Sequence, residues 1–454
     1  MSMTRRHFHR TALTAGAVAA LGMFGRTAAY GAPANGYRAM VGVFLFGGND
    51  GWNMVVPTDS ATYGAYLASR GTVALAPSAL APLAGSGYAL HGAMAPLASK
   101  WDRGALSLVL NTGTLAAPLD KASYVQRPDL RPINLMSHAD EQEHWQGLRA
   151  RAVNRDGFMG RLTDRIAASG GVPPLMSFSG NNVALIGQSA RPIVLPATGS
   201  LTRYTASNSA VNQAVASFSS GAGLGTITEA TAASYAEAYD MTGATAAVLG
   251  QSSAVDAYFV DPDTGAALTS DLANQLKRVA RMIEAHATFG HARQSFFVSH
   301  GGYDTHDNQV TAGDTGKGTH AALLRELAVA LAAFHDAMLA LGLGDNVTAF
   351  TMSDFGRTYK GNAQYGCDHA WGSNHLVLGG GVAAPGVFGR YPDPTLGGND
   401  DIGWEGRFVP TTSQEEYIGA ILRWHGVSDS DMAYVVPNWS TWSTNGRAPL
   451  ALFA

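Results

Sequence analysis

Residues 347–381 read VTAFTMSDFGRTYKGNAQYGCDHAWGSNHLVLGGG, and the rest of the chain is organised around them. The first five are apolar or β-branched, the composition of a central strand. Ser353, Asp354, Arg357, Asn362, Asp368 and His369 then follow within about twenty residues, the length of one strand–loop–strand unit. Carboxylate, guanidinium and imidazole delivered together by a buried strand predict the wall of an active site.

The same pattern recurs outward from this stretch. Residues 40–46, MVGVFLF, form an unbroken apolar run suited to a strand buried on both faces, and it ends in Asn49, Asp50 and Asn53. The run 106–110 ends at Asn111. The run 295–299 ends in HGGYDTHDNQ, which carries His300, Asp304 and His306. Leu272, Leu276, Val279 and Ile283 repeat at helical spacing, as do Leu324, Leu327, Leu331, Phe334, Met338 and Leu341. Strands alternating with such helices predict an α/β fold: a doubly wound, mostly parallel central sheet with helices on both faces. In such sheets ligands bind beyond the carboxyl ends of the strands, where these polar residues fall.

Composition narrows the function. A chain of 454 residues with 46% hydrophobic residues can bury a large core, and a formal charge of -4 argues against a nucleic-acid partner. The single cysteine, Cys367, excludes an intramolecular disulfide and a thiolate metal cluster. The adjacent arginines in TRRHFHR at 4–10 precede a moderately apolar run and then small residues near 28–32. Residues 1–32 therefore read as a twin-arginine signal peptide, which places the mature domain, 38–454, in the periplasm or outside the cell, with no membrane span after removal. The Ser/Thr/Ala-rich segment 173–255 reads as an insertion or cap within that domain.

Carboxylates gathered along one sheet edge repel unless cations neutralise them. Asp50, Asp304, His306, Asp354 and His369 are therefore expected to bind divalent metal, with Zn or Mn ahead of Mg or Ca for this mixed oxygen and nitrogen set. Arg357 is expected to clamp an anionic substrate. Ser137 opens the stretch SHADEQEHW and suits either a helix N-cap or a nucleophile at a positive helix end. Asn49, Asn53, Asn111, His138, His300, His320 and Asp368 are expected around the site as supporting groups or alternative ligands. The chemistry anticipated is hydrolysis of a small anionic ester or a polymer-derived one. No repeat, coiled coil or charge run points to a protein partner.

The runs FGGNDGWN at 46–53, GGYDTH at 301–306, SDFGRT at 353–358 and CDHAWG at 367–372 resemble the exported domain-of-unknown-function family 1501. That family is similar in fold to the alkaline phosphatase and sulfatase superfamily, which implies a metal site at the strand ends. By resemblance, Asp50 takes the place of the first-strand metal aspartate. Asp304 and His306 stand for the central pair, Asp354 for the next aspartate, His369 for the late histidine and Ser137 for the nucleophile. Two departures stand out. Phe355 occupies a place where the superfamily carries histidine, and Cys367 lies in a context unlike the one converted to formylglycine in sulfatases. A single-metal hydrolase and an exported binding or assembly protein without turnover are the alternatives.

Overall fold

The computed structural model describes residues 36–165, 172–201, 225–383 and 386–454, with positions 210, 213, 214 and 217 between. The signal-peptide segment and most of 202–224 lie outside the described residues. The strands are β1 (Arg38–Leu45), β2 (Val55–Pro57), β3 (Leu80–Leu83), β4 (Tyr88–His91), β5 (Leu106–Gly113), β6 (Leu175–Ser177) and β7 (Ile193–Val194). They continue with β8 (Arg293–His300), β9 (Val347–Ser353), β10 (Ser373–Gly379), β11 (Gly386–Gly389) and β12 (Thr412–Ser413). Nine form the main sheet in the order β11-β5-β10-β9-β1-β8-β6-β7, with β12 beside β5.

The register of this sheet sets the site. β1 runs parallel to both neighbours and pairs Leu45 with His300 of β8 and with Ser353 of β9. The segments after these three strands therefore leave the sheet at one level. β10 is antiparallel to β5 and to β9, so its amino end lies at that same edge. Segment 354–372 joins β9 to β10 without a crossover helix, which is why these two neighbours are antiparallel. The sheet is thus mostly parallel, as expected, with β10 as the interior exception.

Alternation along β1 divides the core. Ala39, Val41, Val43 and Leu45 pack into one layer with the helices Ala95–Trp101, Asp271–Glu284 and Thr319–Ala340. Met40 and Phe44 pack into the other with the helices Phe158–Thr163, Gln414–His425 and Asp429–Val435. The apolar positions read at helical spacing in 272–283 and 324–338 are all buried. The segment 173–255 contributes β6 and β7 to the main sheet before the helix Thr226–Leu249, so its first part belongs to the central layer and is not a separate cap. A second, antiparallel sheet, β2-β4-β3, was not evident from the sequence pattern, because its strands have three or four residues each.

Candidate metal centre

Four segments converge at the shared edge. The loop after β8 carries Asp304 and His306, the turn after β9 carries Asp354 and Phe355, and the approach to β10 carries Asp368 and His369. The fourth, the helix His138–Gly147, presents His138 as its first residue. Beneath them runs the tight turn after β1. A Cβ on Gly47 would come within 2.5 Å of the Asp304 amide nitrogen, and one on Gly48 within 2.6 Å of the Phe355 ring. Both glycines have positive φ, so no larger residue fits there.

Three imidazoles face inward with their outer nitrogens already occupied. Nδ1 of His138 lies 2.6 Å from Asp354 Oδ2, Nδ1 of His306 lies 3.0 Å from Asp368 Oδ1, and Nδ1 of His369 lies 2.9 Å from the Met136 carbonyl. These partners accept hydrogen bonds, which places a proton on Nδ1, so that in the neutral ring the lone pair lies on Nε2. The Nε2 atoms turn toward Asp304: His306 at 3.1 Å and His369 at 3.3 Å from Oδ1, and His138 at 3.5 Å from Oδ2. Nε2 of His138 is buried and makes no hydrogen bond. Nε2 of His306 and Nε2 of His369 stand 3.0 Å apart. His138, Asp304 and His369 offer ligand atoms all within 4.8 Å of one another.

Such a donor set fits a divalent cation, because imidazoles pinned through Nδ1 by a carboxylate or carbonyl are the usual form of metal-ligating histidine. Asp304 is the most strongly acidic member. Partial burial would raise its carboxyl, but the Arg357 guanidinium, with His138 and His306, holds it down to about 2. Burial also lowers the basicity of His369, against the opposing effect of its bond to the Met136 carbonyl. Phe355 packs its ring against both His138 and His369, with centroids 4.7 and 4.6 Å away, and braces the two imidazoles from below.

The remaining candidates are distributed around this centre. Asp354 is fully buried and accepts from Gly47 N, Gln142 Nε2 and His138 Nδ1. Asp50 is fully buried elsewhere: it caps the turn at Trp52 and Asn53, pairs with Arg70 and accepts from Gln309. Burial would raise its carboxyl, yet the Arg70 charge holds it below the ordinary value. Asn53 bonds Tyr66, Arg70 and the Val73 carbonyl in the same network. Asn49 Oδ1 meets Nε2 of His320, whose burial drives its basicity down to about 3. His300 lies between Tyr303 and Glu326, and Asn111 bridges Asn374 and the Val409 carbonyl.

Arg357 is also fully buried, and this changes its role from the clamp expected. Its nitrogens donate to the carbonyls of Gly47, Gly48, Tyr303 and Cys367 and to Asp304. It ties three loops together and holds a site carboxylate, with no face turned to a substrate anion. The guanidinium beside the centre that keeps some exposure is Arg407, which donates to the His369 carbonyl at 3.0 Å and pairs with Glu405. Ser137 precedes His138 and donates its hydroxyl to Asp140 at 2.6 Å, without capping the helix.

A family model described as "Protein of unknown function (DUF1501)" matches residues 37–400. No curated protein matches the chain. Among solved structures, Ps i-CgsB in complex with k-i-k-neocarrahexaose is 8% identical, with 91% of this chain and 78% of that chain covered at a TM-score of 0.34. The lipoteichoic acid synthase LtaP from Listeria monocytogenes is 10% identical, with 93% and 95% covered at a TM-score of 0.31. Neither likeness, at such identity and score, bears on the chemistry of this chain. Among the described residues no helix is long and apolar enough to cross a membrane.

Proposed function

We propose that this chain, which belongs to the DUF1501 family, is an exported metal-dependent hydrolase of a phosphate or related anionic ester. One divalent cation, Zn or Mn, is held by His138, Asp304, His306 and His369. The observation that carries this reading is the convergence of three imidazole Nε2 atoms on one carboxylate, each ring fixed by an acceptor at Nδ1. A bound cation of this kind polarises an ester oxygen and makes water acidic enough to attack at neutral pH. Asp354 and Asp368 orient two of the rings, and Arg357 fixes Asp304. Arg407, beside His369 and partly open to solvent, supplies positive charge for the ester anion. The adjacent arginines near the amino terminus support export.

Water is the attacking group in this reading, because the Ser137 hydroxyl is engaged by Asp140. The test loads the purified mature chain with Zn or Mn and assays aryl phosphates and aryl sulfates, beside His369→Ala and Ser137→Ala. Hydrolysis abolished by His369→Ala and changed less than about tenfold by Ser137→Ala supports it. A loss of about a thousandfold in Ser137→Ala reassigns the nucleophile to the serine. Tight metal binding with no turnover on either ester would leave a binding protein in place of an enzyme.

A further inference from the structure

Seven of the eight tryptophans are buried, and Trp404 alone is open, at 77% exposure. Its ring is nevertheless held. A Cβ on Gly397 would lie 2.5 Å from two of the indole carbons, so the six-membered ring sits close against a bare glycine backbone. Gly397 is itself fixed, its amide donating to Asp401 at 2.8 Å and its carbonyl accepting from Lys121 at 2.8 Å. The loop that carries Trp404 closes through a bridge between Asp401 and Phe408. Within it, the buried Asp401 carboxylate accepts the amides of Gly403, Gly406 and Arg407. The ring is therefore carried on a loop pinned by hydrogen bonds, while most of its own surface stays open.

Its position relates it to the metal centre. Arg407, three residues on, donates to the His369 carbonyl and pairs with Glu405. Three residues span at most about 11 Å of extended chain, so Trp404 lies within reach of the site for any ligand a few rings long. On the His306 side a second aromatic stands open. Tyr365, at 38% exposure, adopts a left-handed φ of 58°, a conformation unusual for a bulky residue. Its loop is pinned by Asn362, which donates to the His306 carbonyl at 2.8 Å.

We propose that Trp404 is a stacking platform for a sugar ring of a glycan whose anionic ester is presented to the metal centre, with Tyr365, near His306, as a second open aromatic. This rests on the hydrolase reading for the ester and extends it to the substrate class. A partner protein or a membrane would call for a contiguous apolar patch. Trp404 instead has charged Glu405 and Arg407 on its own loop. A flat ring bordered by hydrogen-bonding groups suits the C–H face of a sugar with its hydroxyls directed sideways.

The test uses the mature chain with Trp404→Ala and Trp404→Phe. Acrylamide quenching first identifies the accessible indole, and the readily quenched component is expected to vanish in Trp404→Phe. A printed array of bacterial, algal and plant polysaccharides, neutral, sulfated and phosphorylated, then reads binding. Binding of wild type to at least one glycan, weakened at least tenfold by Trp404→Ala and partly restored in Trp404→Phe, is the expected result. Metal content equal to wild type in both variants keeps this outcome separate from the metal centre; Trp404-dependent glycan binding by a metal-loaded chain that turns over no ester would sink the hydrolase reading and leave the platform standing. No glycan bound, or binding indifferent to Trp404→Ala, overturns the proposal. Trp404-dependent binding to lipid vesicles or to single-stranded oligonucleotides in place of glycans overturns it equally.

Discussion

Nε2 of His306 faces Nε2 of His369 at 3.0 Å while the Nδ1 atoms of both rings are bonded to acceptors, Asp368 and the Met136 carbonyl. Two neutral rings in these tautomers would oppose lone pair to lone pair. A cation between them turns that contact into shared ligation. A proton on His306 Nε2, donated to Asp304 at 3.1 Å, is the competing solution. Elemental analysis decides between them: about one transition-metal ion per wild-type chain near neutral pH, and none in His369→Ala, is the outcome expected of a metal centre. A chain that stays metal-free after loading with Zn and with Mn favours the proton.

Asp354 acts on the cation through His138, so its removal should weaken metal binding without abolishing it. Asp354→Asn keeps the volume but loses the carboxylate that fixes the Nδ1 proton at 2.6 Å. The expected effect is a loss of about 10- to 100-fold in affinity, measured by competition with a chromophoric chelator. Complete loss of the ion would make Asp354 a ligand in its own right, and an unchanged affinity would remove it from the site altogether.

Asp50 poses the opposite case, a carboxylate whose partners are a buried arginine, an amide side chain and two main-chain amides. Asp50→Ala strands the Arg70 charge in a fully buried position. The expected cost is about 3–5 kcal/mol of stability in urea denaturation. Metal content should stay at the wild-type level under native conditions. Loss of the ion with little change in stability would return Asp50 to the metal centre.

These contrasts show what the sequence could and could not disclose. The strand ends at Asp304, Asp354 and His369 were legible because apolar runs followed by polar residues mark sheet edges, and parallel pairing brings such edges together. The sequence places His138 beside the site only as a supporting group or alternative ligand, not at its centre. Helical spacing gives the face a residue shares, but not what that face meets across the sheet edge. Asp50 looked equivalent to Asp304 because both follow β-strands, yet Arg70, twenty positions along, satisfies it in a pairing that spacing does not signal. The buried role of Arg357 is not legible in the sequence, because four of its acceptors are main-chain carbonyls, which leave no trace in residue identity.

Glu415, in the helix Gln414–His425, is fully buried, and its Oε2 has no hydrogen-bond partner. Burial pushes its carboxyl up from 4.5 to about 8, only partly offset by hydrogen bonds that include Asn438. Between those two values the folded chain keeps a proton that the unfolded chain releases, so this residue makes stability fall as pH rises across that window. Glu415→Gln retains the shape and the bonding capacity of the protonated acid but cannot ionise. Thermal melts from pH 5 to pH 8 should therefore show a shallower decline of Tm in Glu415→Gln than in wild type, with the two chains closest in stability at the acidic end. Parallel curves for the two chains would mean that Glu415 is already charged in the fold and has a partner supplied by local rearrangement.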